Sequence, residues 1–435
     1  MRAVRTWQTC ERCSHELDEL APVAVCPRCG GLLELKHRFL ARGDELTRGF
    51  ASRRQELRGP NASGVWRYRE LVLPSATAAQ IVTHPEGNTP LLERARVSEW
   101  AAIDRLLMKH EGHNPTGSFK DRGMTVAMTQ AKRIGANAVA CASTGNTSAS
   151  LAAYAAHAGL SALVFVPAGQ VAMGKLTQTL AYGAQTLVVR GNFDDCLALA
   201  REASSALNIQ LLNSINPFRL EGQKSIVFEL LDQLDWVAPD WIVLPAGNLG
   251  NTSAFGKAIR DALEVGLISH APRIAAIQAA GASPFAQSFH EHFVKTIHVT
   301  PETVATAIRI GAPASWNRAV RAIRETNGVV ASVTDEEILE TKAVIDAAGV
   351  GCEPASAASV AGARKLRAEG VIGPHDTVTA VLTGHLLKDP GILVKYHQEM
   401  DPAPQFANRP IEIDASVSEV ERVISAMESR SGASS

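Results

Sequence analysis

From about residue 80 the sequence alternates short apolar runs, ending in Gly, Pro or small polar residues, with stretches of helical apolar spacing. The run "ANAVACAS" is followed by "NTSASLAAYAAHAG", then "LSALVFVPAG", "TLVVRG" and the helical "FDDCLALAREASSAL". Later come "WIVLPAGNLG", "RIAAIQAAG" and "TVTAVLTG", each rich in β-branched residues and ending in Gly. Short buried strands alternating with helices predict parallel sheets in an α/β protein. There are enough such units for two parallel-type open sheets flanked by helices. In open α/β sheets ligands bind beyond the carboxyl ends of the strands, which is where these loops fall.

The chain has 435 residues, 46% hydrophobic and 20% charged, so it carries ample apolar area for two or three domains. A formal net charge of −1 argues against a nucleic-acid polyanion or an acidic membrane surface as partner. No apolar run is long enough to span a bilayer, and the opening "MRAVRTWQTCERC" lacks an apolar signal core. Four of the seven cysteines form two tight pairs, Cys10 with Cys13 and Cys26 with Cys29. Two C-x-x-C knuckles suit one structural zinc in a reducing cytoplasm, with the alternative of a metal-free ribbon or redox-active thiols. His15 is a further candidate ligand. The charged stretch after the ribbon reads as a linker with a short helix.

Several loops carry candidate chemistry. In "EGHNPTGSFKDRGM" Lys120 follows turn residues and opens a helix, which suits either an exposed lysine or a nucleophile at a pocket mouth. "STGNTSAS", Ser143 to Ser150, follows a strand and offers hydroxyls and N–H groups to an anion, or simply caps its helix. "PAGNLGNTSAFGKAI" holds Gly247, Asn248, Gly250 and Asn251 in a loop that can nest a phosphate, or serve as a plain turn. It matches neither a Walker loop nor G-x-G-x-x-G. Thr383 ends an apolar strand, and "LLNSINPFRLEGQKS" adds Asn213, Ser214 and Arg219, a guanidinium able to hold a second phosphate. Together these describe a pyridoxal phosphate site: a lysine for a Schiff base, a phosphate cradle and a hydroxyl for the pyridine nitrogen. A neutral hydroxyl there, in place of a carboxylate, would leave that nitrogen less protonated.

"GHNPTGSFKDRGM", "CASTGNTSAS", "NSINPFRLEGQKS", "LPAGNLGN", "EPASAASVAG" and "LTGHLLKDP" resemble, in order and spacing, the threonine synthase family of fold-type II pyridoxal phosphate enzymes. The resemblance runs from about residue 84 to about 425. It implies that Lys120, beside Phe119, is the Schiff-base lysine and that Asn146 bonds the cofactor's 3-hydroxyl. Gly247, Asn248, Leu249, Gly250 and Asn251 would hold the cofactor phosphate, and Thr383 would meet the pyridine nitrogen. Ser143, Thr144 and Asn146 would take the substrate carboxylate; Thr147, Asn213, Ser214 and Arg219 would take the substrate phosphate. The implied reaction converts O-phospho-L-homoserine and water to L-threonine and phosphate by γ-elimination and β-addition. Asp121 and Arg122 are expected to be structural. Leu386 stands where the family commonly has glycine, which adds bulk beside the cofactor. Cysteate synthase and serine/threonine dehydratase are the competing readings. The resemblance also implies a homodimer and a division into a zinc-ribbon-like segment (1–40), a linker with short helices (41–83), a large cofactor-binding domain (84–108 and 213–425), a small mobile domain (109–212) and a disordered tail (426–435).

Overall fold

A computed structural model describes residues 5–169 and 173–432. The chain divides into two compact units, one ending at Pro390 and the other beginning at Gly391. Within the first unit the described residues form three sheets. The amino-terminal ribbon is antiparallel, built from β1 (Arg5–Cys10), β2 (Glu16–Asp18) and β3 (Leu33–Arg38) in the order β2-β1-β3. The next two strands, β4 (Leu91–Glu93) and β5 (Arg105–His110), open a large sheet. The chain then leaves it to form a separate four-stranded parallel sheet from β6 (Ala138–Ala142), β7 (Ser161–Pro167), β8 (Gln185–Val189) and β9 (Ile209–Leu211), ordered β8-β7-β6-β9. It returns with β10 (Trp241–Pro245), β11 (Arg273–Ala279), β12 (Val329–Val333) and β13 (Thr377–Leu382), giving the six-stranded order β12-β11-β10-β13-β5-β4. All pairs in the large sheet are parallel except edge strand β4, which runs antiparallel to β5. The expected α/β architecture with two open sheets is therefore present, with one antiparallel edge that the alternation did not foretell.

Three helices lie deep in the first unit. The Lys120 helix (Lys120–Arg133), the Pro217 helix (Pro217–Gln233) and the Gly250 helix (Gly250–Glu264) have few exposed positions. The first two meet closely at Gly222, where a Cβ would lie 1.9 Å from the Arg122 carbonyl oxygen, so only glycine permits this approach.

The stretch 41–83, expected to be a linker with short helices, does contain the helix Gly43–Arg54 but is not loose. Val65, Trp66, Tyr68, Leu71, Val72 and Leu73 are fully buried, the Trp66 indole donates to Thr125 Oγ1 at 2.8 Å and the Tyr68 hydroxyl donates to Asp232 Oδ2 at 2.8 Å. Its apolar residues have no regular period and follow a strongly charged helix, so no local pattern marks them as core. The ribbon is docked by buried charge: Arg318 donates to Glu11 Oε1 at 2.7 Å and to the Leu33 carbonyl at 2.6 Å, and Lys257 donates to the Leu35 carbonyl at 2.6 Å.

The second unit contains the helix Val417–Gly432. The helix extends to Gly432, into the stretch 426–435 expected to be a disordered tail; residues 433–435 lie outside the described residues. Among the described residues no helix is long and apolar enough to cross a membrane.

Beneath the start of the Lys120 helix lies a buried ion network. Arg122 donates to Glu111 at 2.6 and 2.8 Å and to Glu229 at 2.7 Å, and Lys109 donates to Glu229 at 2.7 Å. Burial alone would raise the Glu229 carboxyl, but the Arg122 guanidinium and Lys109 ammonium outweigh it and hold it well below the usual carboxylate range. A carboxylate depressed in the folded state contributes stability above its unfolded pKa and loses it as pH falls through the folded value. We expect acid unfolding to begin below about pH 4. Glu229→Ala should lower stability by about 3–5 kcal/mol, because two buried cations lose a shared partner. A urea-unfolding midpoint equal to the wild type's would contradict this account of the network.

Candidate active site

The site collects at the carboxyl ends of β5, β6, β9, β10 and β13, as open α/β sheets dictate. Lys120 is the first residue of its helix, and its Nζ lies 4.0 Å from the centroid of the Phe119 ring. The Phe119 N–H donates to the Thr383 carbonyl at 3.0 Å, which ties the lysine turn to the end of β13. The side chain as a whole is half-buried, yet protein surrounds the amine. Burial pushes its pKa down to about 7, the Arg219 guanidinium adds to the effect, and the Glu353 carboxylate opposes it. At neutral pH a large fraction of Lys120 is thus the free amine, as a nucleophile or base requires.

Arg219 lies in the first turn of the Pro217 helix, which Asn216 caps by accepting from the Phe218 N–H at 3.0 Å. It is 1% exposed; its Nη1 donates to the Leu212 carbonyl at 3.1 Å, while Nε and Nη2 have no partner. Burial lowers its pKa to about 10. A buried guanidinium with two nitrogens left without an acceptor is costly unless an anion completes it.

The β10 loop is the second candidate anion cradle. A Cβ on Gly247 would come 2.9 Å from the Ile308 Cα, so the backbone stays bare. Leu249 takes a left-handed conformation with φ 62° ahead of the Gly250 helix, a strained geometry that functional loops often hold. The first N–H groups of that helix, including Gly250 and Asn251, have no intrahelical acceptor and face an incoming anion with the helix dipole behind them. Asn248 braces the loop: its Oδ1 accepts from the Ala314 N–H and its Nδ2 donates to Ser214 Oγ, both at 2.7 Å.

The β6 loop supplies a third set of groups. Ser143 Oγ accepts from the Gly145 N–H at 3.3 Å, Asn146 starts the helix Asn146–Ala158, and Thr144 and Thr147 are half-buried beside it. The Asn213 amide is committed to the Ala142 backbone, accepting from its N–H at 3.0 Å and donating to its carbonyl at 3.1 Å. It therefore anchors β6 to the segment that bears Ser214 and Arg219. Leu386 sits over Gly351, with its Cβ 3.2 Å from where a glycine Cβ would stand. Asp121 accepts from the Thr116 N–H and hydroxyl at 2.7 and 2.6 Å, a turn-fixing role like the structural one expected for it.

One group at the centre of the site was not among the residues expected there. Glu353, 4% exposed, accepts from the Asn146 amide at 3.0 Å and from the Thr383 hydroxyl at 3.3 Å. The signal was present: an acid directly before the proline of "EPASAASVAG", opening a helix of small residues with almost no polar face to keep it in water.

Separately, the sulfurs of Cys10, Cys13, Cys26 and Cys29 all lie within 4.8 Å of one another, with Cys10 to Cys29 at 3.4 Å and Cys13 to Cys26 at 3.7 Å. The sulfur–sulfur edge of a tetrahedral zinc thiolate site is about 3.8 Å, so the cluster could hold a metal. His15 is not part of it.

Comparison with known proteins agrees with this geometry. The family model described as pyridoxal-phosphate dependent enzyme matches residues 82–384. Threonine synthase of Methanosarcina acetivorans is 48% identical over 392 residues, 90% of this chain and 94% of that protein. Threonine synthase of Methanocaldococcus jannaschii is 42% identical over 421 residues, 96% of this chain and 99% of that protein. The crystal structure of threonine synthase from Escherichia coli covers 97% of this chain and 100% of its own with a TM-score of 0.69 at 18% identity, a likeness of fold. Phosphate cradle, buried lysine and sequence relatives agree, and the chain belongs to the threonine synthase family of pyridoxal-phosphate-dependent enzymes.

Proposed function

We propose that the protein is a threonine synthase acting on O-phospho-L-homoserine and water to give L-threonine and phosphate. One observation carries the substrate class: Arg219, buried with two unpartnered nitrogens and close enough to Lys120 to lower its pKa. A dehydratase acting on an unphosphorylated amino acid has no second anion to complete that guanidinium. A phosphorylated substrate does.

Pyridoxal phosphate, when bound, supplies the electron sink that makes protons at the substrate's Cα and Cβ removable. The chain's residues do the rest. The N–H groups from Gly247 to Asn251 would hold the cofactor phosphate, and Asn146 and Thr383 would meet the cofactor ring. Ser143, Thr144 and Asn146 take the substrate carboxylate. Thr147, Ser214 and Arg219 take its phosphate, with Asn213 fixing the segment that carries two of them. Lys120, with much of its amine unprotonated near pH 7, would hold the cofactor and serve to move protons at Cα and Cβ. The bare backbone at Gly247 and the orphaned Arg219 nitrogens are what fit this chain to a phosphorylated cofactor and a phosphorylated substrate. We assign zinc to the four ribbon cysteines on their sulfur spacing. The cytoplasm as location rests on seven unpaired cysteines and the homodimer on the family resemblance.

Incubation of the protein with O-phospho-L-homoserine should release phosphate and L-threonine in equal amounts. Lys120→Ala should abolish both, and Arg219→Gln should raise KM roughly 10- to 100-fold, the worth of a charge-assisted bond to phosphate. Turnover of O-phosphoserine with sulfite instead would move the assignment to cysteate synthase. The pKa of Lys120, about 7, has a direct consequence. The rate at which apoenzyme captures pyridoxal phosphate should climb as pH rises through 7 and level above it. Arg219→Gln should move that midpoint upward, and a climb beginning only above about pH 9, nearer the ordinary lysine range, would contradict the environment described. Metal analysis should find one zinc per chain, and Cys26→Ser should reduce it; a fully folded ribbon with no zinc would overturn the metal assignment.

A further inference from the structure

The ribbon has little core of its own. Its separate buried cluster consists of Cys10, Cys26 and Leu33, so the four-cysteine group is itself the core, and the metal that fills it sets the strands around it. Arg318 touches the ribbon at that point. It is 4% exposed and lies in the first turn of the helix Trp316–Glu325. Its Nε donates to the Glu11 carboxylate and its Nη2 to the Leu33 carbonyl. Glu11 follows Cys10 directly, and Leu33 stands opposite Cys10 in the pairing of β1 with β3. One cysteine therefore places both acceptors.

The residues just ahead of the same helix brace the cofactor cradle. The Ala314 N–H donates to Asn248 Oδ1 at 2.7 Å, and the Ser315 N–H donates to the Asn248 carbonyl at 3.3 Å. Ser253, in the Gly250 helix, donates to the Leu249 carbonyl at 2.7 Å and lies 3.4 Å from the Ser315 carbonyl. Further along, a Cβ on Gly256 would lie 2.3 Å from the Ala322 Cβ, so the two helices are too closely packed to shift independently. From Cys10 to Asn248 the path is thus two sets of hydrogen bonds joined by the short backbone run from Ala314 to Arg318.

Resting on the cofactor and metal readings above, we infer that Arg318 is a positioning residue that couples the ribbon's metal site to the cofactor's phosphate loop, so that zinc and pyridoxal phosphate each raise the other's affinity. The physical reason is the cost of a buried guanidinium without acceptors. With zinc in the ribbon, both acceptors stand where Arg318 needs them. Without it, the ribbon's small core no longer fixes Glu11 and Leu33, and Arg318 follows its acceptors or loses them. Either response moves the start of its helix and loosens the N–H groups that brace Asn248. A loop that is no longer preorganised binds phosphate more weakly. Coupling between two binding equilibria is reciprocal, so the cofactor tightens zinc by the same factor.

The test is a thermodynamic cycle. Cofactor-free protein is titrated with pyridoxal phosphate with zinc in place and after a chelator has removed it; zinc is also titrated out with and without the cofactor. Zinc removal should raise the Kd for pyridoxal phosphate roughly 10-fold, and bound cofactor should protect zinc by the same factor. Where stripping unfolds the ribbon altogether, the chelator titration alone reads the coupling. Arg318→Gln should weaken cofactor binding with zinc still bound and abolish its dependence on zinc, and Arg318→Lys, which can reach only one of the two acceptors, should fall between. A merely structural Arg318 would lower stability but leave the ratio of the two cofactor Kd values unchanged. Should Arg318→Gln fail to fold, Glu11→Ala removes the carboxylate end of the link at a residue exposed on the ribbon, and it should weaken cofactor binding several-fold. Cofactor affinity independent of zinc in the wild type would overturn the inference and leave the active-site reading standing, as would a zinc-filled Glu11→Ala that binds the cofactor like the wild type. A wild type that binds no pyridoxal phosphate in either zinc state would remove the active-site reading itself.

Discussion

Arg122 clamped between Glu111 and Glu229 is the interaction on which the rest of the site depends. It lies two residues after Lys120 and joins the Lys120 helix to the turn after β5 and to the middle of the Pro217 helix. With Lys109 the network holds two cations and two carboxylates, all buried, so its charges balance where no water can screen them. Networks of this kind contribute little net stability compared with apolar packing, but they penalise every register except the one in which each charge is met. Here the register sets the position of the Lys120 amine relative to Arg219, which lies on the same helix as Glu229.

The site itself is built the opposite way. Burial, and then the neighbouring Arg219 guanidinium, lower the Lys120 pKa to about 7, and Arg219 is only partly satisfied by the Leu212 carbonyl. Much of the lysine is therefore free amine near neutral pH, and the guanidinium is left in need of an anion. The Gly250 helix adds the partial positive charge of its amino end. The phosphorylated cofactor and phosphorylated substrate proposed above would supply the missing negative charge. Balanced charge beneath the floor and unbalanced charge above it make a rigid base under a site that is complete only when loaded.

The strand-and-loop organisation was legible because its signals are local. The apolar runs ending in "ASTGN", "LPAGN" and "LTGH" became β6, β10 and β13, and the loops after them became the site. Lys120 at a helix start and the two cysteine pairs were equally readable, since each rests on neighbours within a few residues. Other features were not. Trp66 and Tyr68 belong to a stretch that reads as linker, yet their polar atoms reach Thr125 and Asp232. Asn213 reads as a ligand for phosphate, and what no local pattern shows is that its amide also bonds the Ala142 backbone, 71 residues away. Edge strand β4, three residues long, is too short to show a period.

The sequence by itself determined the alternation of elements, the residue types at the strand ends and the family to which they are similar. Backbone preference, turn chemistry and hydrophobic period all act over a few residues, so they survive in a linear reading. Only the tertiary structure decided which buried polar groups answer one another. Glu353 meets Asn146 across 207 residues and Arg122 meets Glu229 across 107. A buried donor or acceptor takes whatever partner the packing brings within about 3 Å. That pairing depends on where helices and sheets cross, and no local pattern encodes it.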